Sequence, residues 1–182
     1  MQRRVALKNI LLFTGGTMLF PSCLQQDKKA SIPLQKLKVS ADQEALLAEV
    51  AETIIPKTDT PGAKDLGVHQ FVLVMMDDCY EKEDQDKFLN GLSELDKLSK
   101  KHYSNSFIKA NSQQRQQLLT RIDRKEFEGD VSSFFSAMKQ LTVQGFMKSQ
   151  YVMTNLIVYE LVPGRFSGSF PVKDKKRFQQ HG

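Results

Sequence analysis

Between Ser40 and Tyr159 the apolar residues recur three and four positions apart, segment after segment, and this spacing commits the chain to an all-helical fold. Ser40 with Gln43 three residues on is a capping-box pattern, followed by Leu46, Leu47, Val50, Ile54 and Ile55 at helical spacing until Pro56 stops the run. A second helix is expected near Val68, with Phe71, Val72, Met75 and Met76 on one side. A third spans Glu83 to Lys101 on the stripe Phe88, Leu92, Leu95 and Leu98. Asn111, with Gln114 in the capping-box position, opens a fourth that runs through about Arg124 and turns Leu118, Leu119 and Ile122 inward. Gly129-Asp130 breaks the chain before a long segment, Val131 to about Tyr159, whose first half reads as helix. Its end, Val152 to Val162, is rich in β-branched residues and is expected to begin an extended stretch. Four to five such helices make a compact bundle, and no repeat of 20–50 residues points to a solenoid.

Two segments inside this body resist a helical reading. Lys57 to Asp65 is turn-rich, because Pro61 fixes one φ and Gly62 frees the next. Pro163 to Pro171 has no helical potential and forms an irregular, extended C-terminal arm. The expected organisation is therefore a leader over 1–23, a polar linker over 24–39 acting as a tether, a helical domain with its arm over 40–171, and a basic tail over 172–182.

The leader is an address and not part of the fold. Arg3 and Arg4 stand before an apolar stretch, Asn9 to Phe20, that is far shorter than the ~20 residues a membrane-crossing helix needs. Its low hydrophobicity fits a twin-arginine export signal, which carries folded cargo to the periplasm. Cys23 ends it, where a lipoprotein signal places its lipidated cysteine; a signal-peptidase cut nearby and an uncleaved anchor are the alternatives. Setting aside Arg3, Arg4 and Lys8 reduces the formal charge of +5 to +2, so the exported body carries no basic excess that would suit nucleic acid. Cys79 is then alone in the body, and its place in the apolar run from Phe71 predicts a buried, inert thiol.

Motifs for chemistry are missing from the sequence. It has no GxGxxG, no P-loop, no CxxCH for haem and no HExxH for zinc. His69, His102 and His181 are too scattered to form a local ligand pair and read as surface or capping residues. Asp77-Asp78 and Asp84 with Asp86 lack EF-hand spacing and read as solvated helix ends, and the seven methionines read as core filler. The reading is no catalytic, cofactor or metal residue in this chain.

The stretch Ile54-Ile55-Pro56-Lys57-Thr58-Asp59-Thr60-Pro61-Gly62-Ala63, followed by Gly67-Val68, resembles the signature of the small subunit, subunit 3, of gluconate 2-dehydrogenase. Gly91-Leu92 with Leu95-Asp96, Phe134-Phe135 through Gly145-Phe146, and Val162 to Gly168 look like further landmarks of that family in the right order. The resemblance covers about Ser40 to Pro171. It implies a division of labour in which a large FAD-containing flavoprotein of the glucose-methanol-choline type oxidises a sugar or sugar acid. Electrons then pass to a cytochrome c subunit carrying haem c, or to another acceptor. The small subunit holds no redox centre; it accompanies the flavoprotein through the twin-arginine route and supports its maturation and stability.

Two segments have residues suited to meeting that partner: Lys57, Thr58, Asp59, Thr60, Pro61 and Gly62 in the turn-rich loop, and Pro163, Gly164, Arg165 and Phe166 in the arm. Exposed backbone there can hydrogen-bond a partner, and Arg165 can pair with a carboxylate in a bidentate way. The competing expectations are a loop and arm that only serve this domain's own packing, a free-standing helical lipoprotein acting as a binding or structural module, and an accessory subunit of a glycoside 3-dehydrogenase.

Overall fold

The structure is a computed structural model that describes residues 29–157. Helices α1 (Ala41–Ile54), α2 (Val68–Cys79), α3 (Lys82–Tyr103), α4 (Ser112–Asp123) and α5 (Asp130–Met147) carry the fold, with a 3₁₀ turn at Phe107–Lys109 and a short π-helical segment at Val152–Leu156. Among the described residues no strand is present, and the expected all-helical bundle is the architecture observed.

Local chemistry sets the helix ends. Ser40 and Gln43 form the reciprocal capping box at the start of α1, and Asn111 with Gln114 repeats it at α4. On α3, Glu83 and Asp84 lie in the first turn and Lys100 and Lys101 in the last, each sign at the end where the helix dipole favours it. Gly129 precedes α5 at φ 100°, a left-handed conformation that a side chain would strain.

Helix α5 is the central element, packing against the other four. Its inward face, Val131, Phe134, Phe135, Met138 and Leu141, is buried against Phe88, Leu92 and Leu95 of α3, Val72, Leu73 and Met76 of α2, and Leu118, Leu119 and Ile122 of α4. Phe88 and Phe134 meet with ring centroids 4.9 Å apart in a tilted pair. Two glycines set the crossings: Gly91 of α3 lies against Phe134, and Gly145 of α5 against Phe71, where a Cβ would come within 2.6 Å of the ring. Gly91, Phe134 and Gly145, singled out in the sequence, thus fall at helix crossings.

Several expectations require correction. The polar linker is not a free tether over residues 29–39: this strap lies on the bundle with Leu37 and Val39 buried, and the Ala30 N–H donates to the Val39 carbonyl at 3.1 Å. Asp77 is not solvated but 3% exposed, because its carboxylate accepts the backbone N–H groups of Gln35 (2.7 Å), Lys36 (2.8 Å) and Leu37. Burial pushes its pKa up, and the three N–H donors outweigh that and hold it below the usual carboxylate range. Cys79, expected to be buried, is exposed, since α2 ends there and the chain turns away at Tyr80. In addition, Val152–Leu156 coils as a π-helical segment where an extended stretch was expected to begin; Ile157 is extended, and the rest of that stretch, 158–162, lies outside the described residues.

Candidate functional site

The loop between α1 and α2 is the most elaborately braced surface feature. Its two ends converge on Glu52 of α1, whose carboxylate accepts the Lys57 N–H at 2.9 Å and the Lys64 N–H at 3.0 Å. The Ala63 N–H donates to the Ile55 carbonyl at 2.9 Å and closes the neck of the loop. At the tip, the Thr58 N–H donates to the Thr60 carbonyl at 3.0 Å.

Gly62 explains the Pro-Gly signature in packing terms. It is buried, and a Cβ built there would fall 2.5 Å from Oε1 of Glu52 and closer still to Oε2. Only glycine leaves room for the carboxylate that closes the loop. Thr60 and Pro61 are half-buried, while Lys57, Thr58 and Asp59 are exposed.

A second set of charges anchors the loop to the rest of the bundle. Glu49, one turn before Glu52, receives Lys64 from the loop and Arg115 from α4. Arg115 also donates through Nε to the Phe107 carbonyl at 2.9 Å and through Nη2 to that of Ile108, which ties α4 to the 3₁₀ turn. Burial works against ionisation of Glu49, but the Lys64 ammonium and the Arg115 guanidinium together hold its carboxyl below the usual range. Lys57 pairs with Asp65 at 2.9 Å across the exposed loop.

Beside this loop, Glu44 of α1 is 7% exposed and accepts both the N–H (2.6 Å) and the hydroxyl of Ser31 from the strap. His69 Nε2 lies 3.7 Å from the same carboxylate, and its Nδ1 is buried without a partner. Burial, with Lys64 nearby adding to it, keeps the imidazole below its ordinary pKa despite Glu44. His69 is thus half-buried rather than on the surface.

Among the described residues no group of three or more His, Cys, Asp or Glu is placed to hold a metal ion. A groove of about 1050 Å³ within the strap is walled by Ile32, Leu34, Leu37 and Val39, and its lining has no carboxylate, histidine or cysteine for acid-base work. Among the described residues no helix is long and apolar enough to cross a membrane.

Of the residues singled out in the sequence, Lys57 through Gly62 are brought together as one braced loop. Arg3, Arg4, Cys23 and the arm residues Pro163, Gly164, Arg165 and Phe166 lie outside the described residues. Sequence reasoning missed Glu49, Glu52 and Arg115. The signal for the first two was present: three positions apart, they share one helix face immediately before a loop with two lysines.

The sequence model of the family described as gluconate 2-dehydrogenase subunit 3 matches residues 41–164. The chain belongs to the gluconate 2-dehydrogenase subunit 3 family. No curated protein and no solved structure matches it. The matched span begins at the first residue of α1, so the braced loop and all five helices lie within the subunit 3 region, whereas the strap precedes it.

Proposed function

We propose that this chain is the non-catalytic small subunit of an exported, flavin-dependent sugar or sugar-acid dehydrogenase. The observation that carries the reading is the match of residues 41–164 to a family named as one subunit of gluconate 2-dehydrogenase, since a third subunit implies partner chains. In this reading the redox chemistry resides in a glucose-methanol-choline type flavoprotein holding FAD, and electrons leave through a cytochrome c subunit with haem c or another acceptor. The small chain supports export, maturation and stability of the flavoprotein.

The leader with Arg3 and Arg4 supports the export part. A flavin is loaded into a folded protein before export, so a route for folded cargo suits the complex, and one signal can serve two chains. The destination is the periplasm, with attachment to the membrane through the leader or through lipid on Cys23. The loop Lys57–Gly62 and the arm Pro163–Phe166 are the contacts assigned to the partner, the loop because its bracing fixes an exposed tip.

Affinity purification of the tagged chain from its native membrane and periplasm, followed by mass spectrometry and an absorption spectrum, tests this. The expected result is a yellow complex with one large flavoprotein. Recovery of a colourless, partnerless chain under gentle conditions would make the free-standing helical protein the better account.

A further inference from the structure

We propose that the loop tip Thr58-Asp59-Thr60 is a rigid acceptor knuckle that docks onto a basic, hydrogen-bond-donating patch of the flavoprotein subunit, with Glu52 as the positioning residue that shapes it. The inference rests on the small-subunit reading above and specifies the chemistry of its contact.

The loop carries two lysines and two aspartates, so its sequence looks electrically balanced. The structure distributes those charges unevenly. Lys57 pairs with Asp65 and Lys64 with Glu49 at the surface, so each cation already has a carboxylate partner in the loop or at its base. Asp59 is exposed, and among the described residues no ion pair or hydrogen bond reaches its carboxylate. What the tip offers outward is therefore one uncompensated carboxylate flanked by two threonines. Such a surface complements arginine or lysine side chains and backbone N–H groups, and a carboxylate that receives an arginine fork gains both energy and orientation.

Shape supports the same conclusion. Glu52 accepts an N–H from each end of the loop, at 2.9 and 3.0 Å, and Gly62 leaves room for it to do so. The Glu49 ion pairs fix the loop's second half to α1 and α4. A loop ordered in the free chain brings less ordering entropy to be lost on association, so each contact at its tip contributes more to affinity.

The test is the dissociation constant between the full-length chain and the purified flavoprotein subunit, at low and at moderate salt. Asp59→Arg is expected to weaken binding by about tenfold or more, because like charges then face each other, with no change in melting temperature. Glu52→Ala is expected to speed amide exchange at Lys57 and Lys64 and to weaken binding. Combining it with Asp59→Arg should give less than the product of the two effects, because a loosened tip has already lost the contact. Asp59→Arg binding within twofold of the wild type would overturn the inference, as would independent effects in the double variant. Failure of the wild-type chain to bind the flavoprotein is a different outcome, and it would remove the small-subunit reading itself along with this contact.

Discussion

Gly91 on α3 lies so close to Phe134 on α5 that a Cβ on the glycine would overlap the phenylalanine's own Cβ and come within 2.6 Å of the Asp130 carbonyl oxygen. Two of the longest helices therefore touch nearly backbone to backbone. The contact cannot yield by rotating a side chain, because the atoms in the way belong to the main chain and to its first carbon.

Gly91→Ala should consequently destabilise the domain, although alanine is the better helix former by about 1 kcal/mol. Overpacking costs about 1–3 kcal/mol, and here it falls on rigid atoms. A net loss of about 2 kcal/mol in chemical denaturation is expected, with Ser93→Ala, on an exposed face of α3, near neutral as the control.

The strap depends on one carboxylate. Asp77→Ala leaves the N–H groups of Gln35, Lys36 and Leu37 without their acceptor, which should cost about 3 kcal/mol. Limited trypsin digestion should then cut after the exposed Lys36 and Lys38 well before the helical bundle is degraded. Equal cleavage rates in variant and wild type would show that the strap is held by other means.

Acid should weaken the fold in two stages. His69 is held below its ordinary pKa of about 6.5 by burial, so as pH falls below that value the unfolded chain takes the proton first and stability declines. The depressed carboxylates of Asp77 and Glu49 contribute stability that is complete above their unfolded values, about 4–4.5, and is lost as pH falls through their folded ones. All three act in the same direction. His69→Phe should flatten the upper limb of a stability-versus-pH profile and leave the lower one; an unchanged upper limb would locate the effect elsewhere.

Cys79 should react with a thiol reagent in the native protein. It is exposed at the end of α2, so in a Cys23→Ser chain, where it is the one remaining thiol, a maleimide should label it without denaturant, and adding Cys79→Ser should abolish that label with stability changed by no more than about 0.5 kcal/mol. Labelling only after unfolding would restore the buried thiol.

What the sequence made legible was whatever depends on near neighbours. The boxes Ser40/Gln43 and Asn111/Gln114 span three residues each, and the stripe Phe88-Leu92-Leu95 one face of one helix, and all are where the pattern places them. The errors at Asp77 and Cys79 share a cause. Whether a helix end is wet or covered depends on a segment arriving from elsewhere, and the donors that bury Asp77 come from about 40 positions away. Glu49 and Arg115 are 66 positions apart, so no local pattern announces their pairing. The signature loop was readable as a motif, but not the reason for its glycine, which is the carboxylate of Glu52.

The strap also changes the geometry of attachment. From Cys23 to Ser40 an unanchored chain could reach about 60 Å, but pinning begins at Lys29, and six residues span at most about 20 Å. A lipid on Cys23 would therefore act as a short leash. The bundle would ride at the headgroup surface, with the α1–α2 side of the molecule, where Glu44 and Asp77 grip the strap, kept near the bilayer. If Cys23 carries that lipid, a large partner would have to approach the bundle in the shallow layer just above the bilayer, and the search for it would become nearly two-dimensional.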